Sequence, residues 1–271
     1  MRIYFHSLVL IFLLLSCSNP LGPDTTALSQ EELLNLAYQN KSNGMLGEFF
    51  SRWQQEIQPI SEQEFASQSE IEQTIHEIFE KFYDPRYPSK LGGSEWGDKL
   101  YQGHSYFIVH NKLYYRQVDE PGSENTLWFS SREEYEQFVA TRDSIDNFRP
   151  RLDFSKTKVV YLAEKYESLL NDFLGRDLSQ VGESNIANPA QAEGESQNRL
   201  QFLKKKANII PGHWGFSWHI LTHPEIRLIE LDNNLQKAHI EFRIVYEGGY
   251  AKFEKEPQGW KMVDAKITWI E

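Results

Sequence analysis

His213, Trp214, Trp218, His219 and His223 form the densest group of chemistry-bearing side chains in the sequence. His219 and His223 stand four apart, the spacing at which one helix face presents two imidazoles to a single metal ion. The residues around them, 216–222, read instead as a strand. On a strand the two histidines share a face but lie ~13 Å apart, too far to hold one ion together. No His-Glu-x-x-His motif accompanies them, so no metal site is expected. Trp214 and Trp218 offer flat apolar faces that either stack on a sugar or pack into a core. Tyr246 and Asp264 have the residue types of an acid–base pair, with nothing yet to bring them together. Trp214, Trp218, His219, Tyr246 and Asp264 are therefore the candidate pocket residues.

Several chemistries have no support. The glycine-rich stretch 91–97 (LGGSEWG) lacks the lysine of a phosphate-binding loop and the spacing of a dinucleotide fingerprint. It reads as a turn in which glycines take positive φ and Trp96 packs back on the core. There is no Gly-x-Ser-x-Gly elbow. The single cysteine, Cys17, excludes an internal disulfide and a cysteine-built zinc site. No cofactor is expected. A formal charge of −11 opposes nucleic-acid binding, which needs a basic surface to displace counterions. Glu241 and Arg243, two apart on a strand, read as an exposed ion pair.

The elements that would position these residues follow from periodicity. Aromatic and aliphatic residues are plentiful enough to build a core, with 40% hydrophobic and 14% aromatic. Ser29 and Glu32 form a capping-box pattern ahead of Leu33, Leu34, Leu36 and Ala37. Met45, Leu46, Phe49, Phe50 and Trp53 continue at helical spacing, with Asn43-Gly44 either weakening one helix near its middle or ending it. A second box is read at 67–70, ahead of Ile71, Ile75, Ile78, Phe79 and Phe82. Residues 105–110 and 112–118 read as a β-hairpin turning at Asn111. Residues 127–129 read as a third short strand, followed by a helix from Ser130 or Ser131. Residues 158–162 read as a short strand or the lead into a helix, and 164–174 as a helix ended by Gly175. Strands follow at 216–222, 226–231, 238–246, 250–253 and 260–270. Short turns between successive strands predict an antiparallel meander. The expected architecture is α+β: a helical N-terminal region with a small hairpin over 28–150, and a curved sheet covered by helices over 151–271.

That C-terminal half resembles the nuclear transport factor two-like superfamily, a cone-shaped α+β fold. The resemblance is carried by residues 238–246, Gly248-Gly249-Tyr250-Ala251, Gly259-Trp260-Lys261-Met262-Val263 and Ile267-Thr268-Trp269. It implies a pocket between sheet and helices, used by both enzymes and non-enzymatic binders. Nothing in 28–150 shares it, and the loop near 175–195 departs from it.

The N-terminus reads as an address. Residues 8–15 (LVLIFLLL) are an unbroken apolar run, too short to span a bilayer and the right length for a signal-peptide core. Leu14-Leu15-Ser16-Cys17 resembles the lipobox of bacterial lipoproteins. The resemblance implies removal of 1–16 and a diacylglyceryl thioether on Cys17, with a further acyl chain such as palmitate on its amino group. Residues 17–27 then form a tether rich in proline and polar residues. Ser18 after the cysteine points to the outer membrane. The expectation is a lipid-anchored cell-envelope protein that meets the membrane through Cys17 and binds a small ligand or an envelope protein without catalysis. The alternatives are a metal-independent acid–base enzyme working between sheet and helices, and a carbohydrate-binding accessory protein.

Overall fold

The computed structural model describes residues 25–123, 132–175, 194–212 and 218–270. Cys17, Trp214 and the strand expected at 127–129 lie outside them.

Helix α1 (Gln30–Gln39) starts at the expected capping box: Ser29 Oγ accepts from the Glu32 amide, and Glu32 Oε2 accepts from the Ser29 amide at 2.8 Å. The first helix does end between the two apolar runs, but ahead of Asn43-Gly44 rather than at it. Ser42 caps a new one, α2 (Asn43–Glu56), so those residues form its first turn, where helix propensity matters least. A short α3 (Glu62–Ala66) has its own box, Ser61 with Glu64. Helix α4 (Glu70–Phe82) begins at Ser69 with Glu72, two residues beyond the predicted box.

Strand β1 (Tyr106–His110) and β2 (Lys112–Val118) appear where expected, but they do not pair with each other. β1 runs parallel to β4 (Lys158–Leu162) as a two-stranded sheet. β2 lies between β3 (Asp143–Asp146), antiparallel, and β7 (Glu225–Asp232), parallel. The expected hairpin is thus replaced by two long-range pairings. A single residue, Asn111, is too short a turn to fold β1 back on β2, so the strands diverge into different sheets. Between β3 and β4 no helix intervenes; α5 (Arg132–Ala140) precedes β3.

The C-terminal meander is present. β7, β8 (Lys237–Ile244), β9 (Glu247–Glu256) and β10 (Gly259–Ile270) are successively antiparallel, giving a six-stranded sheet ordered β10-β9-β8-β7-β2-β3. Its inner face carries Leu113, Ile229, Leu231, Ile240, Phe242 and Phe253, packed with Ile78, Phe79 and Phe82 of α4. Each such side chain contributes ~1.5–3 kcal/mol on full burial. This face is filled by side chains, Phe82 lying 5.4 Å from Phe242 ring to ring.

A second core joins α1 and α2 to α6 (Glu164–Leu174), α7 (Glu195–Leu203) and the outer side of β1 and β4. Trp53 stacks on Tyr166 at 4.3 Å and donates its indole N–H to the Tyr161 carbonyl at 2.9 Å. Gly175 ends α6 in the left-handed region at φ 77°, as predicted. β5 (Ile210–Pro211) and β6 (Trp218–His219) form a small antiparallel pair against this core. No helix among the described residues is long and apolar enough to cross a membrane.

Gly248 and Gly249 are not a turn; they lie inside β9. A Cβ on Gly248 would stand 2.0 Å from the Trp269 indole of the neighbouring strand. The glycine is there because an aromatic ring lies flat on the backbone.

Candidate functional site

One end of the large sheet gathers titratable groups from four separate segments. Thr222 docks the chain after β6 onto β1: its amide donates to the Ile108 carbonyl at 2.7 Å, and its Oγ1 accepts from the Ile108 amide at 2.9 Å. Tyr83, at the end of α4, donates its hydroxyl to the Thr222 carbonyl at 2.9 Å. The His223 amide donates to the Tyr101 hydroxyl at 2.9 Å. These anchors bring His223, and His110 at the end of β1, within electrostatic reach of Glu225, which opens β7. Arg243 lies directly across from Glu225 on β8.

His219 and His223 come together, contrary to the expectation of ~13 Å. Their ring centroids are 5.4 Å apart. The physical reason is that, of the described residues 218–222 of the predicted strand, only the two of β6 are extended in a ladder. The chain then bends to reach Thr222, so four residues no longer measure an extended length. His219 also lies edge-on to Tyr246, at 5.8 Å, and Tyr246 edge-on to Trp96, at 5.7 Å.

The electrostatics favour neutral imidazoles. Burial lowers His223 to about 3; Glu225 opposes that shift, and the neighbouring His219 adds to it. Its Nδ1 lies 3.2 Å from the Arg243 carbonyl oxygen. A carbonyl only accepts, so Nδ1 carries the hydrogen and Nε2 keeps a bare lone pair. That Nε2 is buried and has no hydrogen-bond partner, and the same holds for Nε2 of His110. Burial lowers His110 as well, with Glu225 pulling the other way. For Glu225, burial pushes the carboxyl up, but His110 and His223, and after them Arg227 and Arg243, outweigh it and hold it below its ordinary value. The cluster therefore sets imidazole nitrogens with free lone pairs beside a buried carboxyl group. Among the described residues no group of three or more His, Cys, Asp or Glu is arranged to hold a metal ion.

The other sequence candidates separate. Tyr246 donates its hydroxyl to the Pro211 carbonyl at 2.8 Å, tying the β8–β9 turn to β5. Asp264 is exposed, pairs in register with Lys252, and accepts from the Tyr250 hydroxyl at 3.1 Å. Tyr246 precedes Glu247, which pairs with Ile270, so six residues of strand, ~20 Å, separate Asp264 from that end. They form no acid–base pair. Trp218 is buried in the helical core and has no face to offer a sugar. Trp96 does not pack into the core: it is 36% exposed and leans on Tyr246. The glycine loop around it does turn at positive φ (90° at Gly92, 83° at Gly93, 60° at Gly97). It is held by Glu247, whose carboxylate accepts from the Ser94 hydroxyl and, at 2.9 Å, from the Glu95 amide.

Glu241 is not the exposed half of an ion pair. It is 5% exposed on the outer face of β8, and its carboxyl is raised to about 7, first by burial and then by the nearby Glu230. Beside it, Arg116 and Glu230 form a buried ion pair at 2.5 Å across the parallel β2–β7 register, and Glu230 also accepts from the Gly122 amide at 2.6 Å. Sequence reasoning overlooked His110, Glu225, Tyr101 and this buried pair. The one local signal was His223-Pro224-Glu225, read as a turn between strands; the rest depends on long-range pairing.

Comparison with known proteins finds no matching family model, no similar curated protein and no similar solved structure.

Proposed function

We propose that the chain is a lipid-anchored protein of a bacterial cell envelope, more specifically of the outer membrane, whose folded body binds a ligand or partner and does no chemistry of its own. The observation that carries the reading is the position of Cys17, the single cysteine, closing an apolar run of eight residues after Leu-Leu-Ser. Acyl chains contribute ~0.8 kcal/mol per buried CH₂, so two or three of them hold a folded body at a membrane durably. The body begins shortly after. Arg52 donates to the Thr25 carbonyl at 2.6 Å and to the Leu28 carbonyl at 3.0 Å, pinning the start of the fold to α2.

The binding role is supported by what the sheet does with its two faces. An acid–base enzyme of the kind considered from the sequence needs a cavity between sheet and helices, and that space is occupied by Phe82, Phe242 and Phe253. The likeness to the nuclear transport factor two-like superfamily adds a fold in which binders and enzymes both occur, and fold alone does not choose between them.

The test is mass spectrometry of the N-terminal peptide from protein made in a bacterial host, with fractionation of Cys17→Ala. The expected result is a diacylglyceryl-modified, N-acylated Cys17, and release of the Ala variant from the membrane fraction. An unmodified cysteine, or a variant retained as well as the parent, overturns the anchor.

A further inference from the structure

Helix α2 leaves one strip of its surface to solvent, with Asn43, Gly44 and Gln55 exposed and Gly47 and Ser51 half-buried. Both edges of that strip are occupied. On one edge the described fold begins: Arg52 donates to the Thr25 carbonyl at 2.6 Å, and Glu48 accepts from the Thr25 hydroxyl at 2.7 Å. On the other edge lies Lys206. A Cβ on Gly47 would stand 3.6 Å from the Lys206 ammonium nitrogen. Gly47 and Glu48 are neighbours in the helix, about 100° apart around its axis. One turn beyond Gly47, the Ser51 hydroxyl lies 3.2 Å from the Tyr106 hydroxyl, and the Lys158 ammonium sits 6.0 Å from the Tyr106 ring centre. The backbones behind these side chains are joined. The amides of Ser105 and Tyr106 donate to the Lys206 carbonyl at 2.9 and 3.0 Å, and the Lys158 amide donates to the Ser105 carbonyl at 2.9 Å.

This side of the molecule is positive. Lys158 and Lys205 are exposed, and Lys204 and Lys206 are half-buried. Among the described residues none of the four forms an ion pair. The acids of α2 and α7 are already taken. Glu48 pairs with Arg52 at 2.5 Å, Glu56 with Lys165, and Glu195 with Arg199 at 3.3 Å. The whole sequence carries 39 acidic residues against 28 basic ones, so four unpaired lysines on one side separate charge across the fold.

Thr25 stands eight positions after Cys17, a span of ~29 Å at most whatever its conformation. A bilayer that holds Cys17 is therefore within reach of the strip. An anionic bilayer attracts lysines near its surface, and the attraction fades beyond a Debye length. We propose that the lysine face beside α2 seats on the anionic phospholipid headgroups of the membrane that holds the anchor, with the acidic remainder of the body turned away. The proposal rests on the reading of Cys17 as that anchor.

Lysine footprinting tests it. The lipidated full chain is placed in vesicles of phosphatidylcholine alone and in vesicles of equal parts phosphatidylcholine and phosphatidylglycerol. Both are treated with N-hydroxysuccinimidyl acetate, and acetylation is mapped by mass spectrometry. Lys158, Lys205 and Lys206 are expected to react at least about fivefold more slowly on the anionic vesicles, relative to Lys237 and Lys255 of the large sheet. Added salt restores their rates. The double change Lys158→Glu with Lys205→Glu, at two exposed positions, keeps the thermal midpoint and loses the protection of Lys206. Equal rates on the two kinds of vesicle, equal protection of the sheet lysines, or protection unchanged in the double variant overturns the seating and leaves the anchor standing. Equal protection by soluble polyphosphate on neutral vesicles marks a site for a soluble polyanion and overturns it too. A chain that does not float with the neutral vesicles has no working anchor, and the proposal falls with that reading.

Discussion

Glu241 and His76 are buried groups whose protons pull stability in different pH windows. The Glu241 carboxyl is raised to about 7 in the folded chain from an ordinary 4.5. The folded state then holds a proton that the unfolded state gives up between those values, so stability falls as pH rises through that window. Glu241→Gln is expected to be more stable than the parent by about 1–3 kcal/mol at pH 8 and to lose most of that advantage near pH 4.5, measured by urea unfolding at both. His76 is 1% exposed, with both ring nitrogens lacking hydrogen-bond partners, between Phe65 and Phe148. Burial, and then the charge of Arg151, lower it to about 4 from 6.5. A depressed base contributes stability above its unfolded value that is lost as pH falls toward the folded one, at ~1.4 kcal/mol per pH unit per group. His76→Phe removes two unpaired polar atoms from the core and is expected to stabilise by about 1–2 kcal/mol at pH 7.5, and by more at pH 5. No gain at either pH would show that the ring is hydrogen-bonded in solution.

At the scale of the element, local chemistry explains most of what the sequence predicted correctly. The cap of α4 is local too, although the sequence placed it two residues early: Ser69 Oγ accepts from the Glu72 amide, and Glu72 Oε2 accepts from the Ser69 amide at 2.9 Å. Ser69→Ala is expected to cost about 1 kcal/mol, within the range for such caps, as a drop in the urea midpoint with unchanged slope. Gly248 shows where local reading fails. As a turn residue it would tolerate alanine; beneath the Trp269 ring it does not. Gly248→Ala is expected to destabilise by about 1–3 kcal/mol, and the double change with Trp269→Ala to recover part of the loss.

For the whole molecule the decisive fact is that the chain interleaves across residue 150. β1 pairs with β4 and β2 with β7, so strands from before that point complete both sheets after it. Expressed alone, residues 151–271 would leave β4 unpaired and β7 as a bare apolar edge. That fragment is expected to lack the dispersed amide resonances of a folded sheet, while the full chain shows them. A folded, monomeric fragment would mean that the two halves are separate domains after all.

The strands, helices and caps were legible because each is set by residues a few positions apart: 3.6-residue apolar spacing in α2 and α4, alternation in β8, Gly175 at the end of α6. The meander was legible for the same reason, since its strands are joined by short turns. Parallel pairing has no such local signature; its partners lie 52 residues apart in β1–β4 and 114 apart in β2–β7, and only the folded core selects them. The candidate site follows the same division. Its residue types stand in the sequence, and the position of Cys17 is readable there alone. That His223 meets His219 and lies with His110 about Glu225, while Asp264 and Tyr246 stay apart, is decided by the docking of Thr222 on β1 and by the register of β7 against β8. Side-chain proximity at one end of a sheet is a property of pairing register, and register is a tertiary quantity.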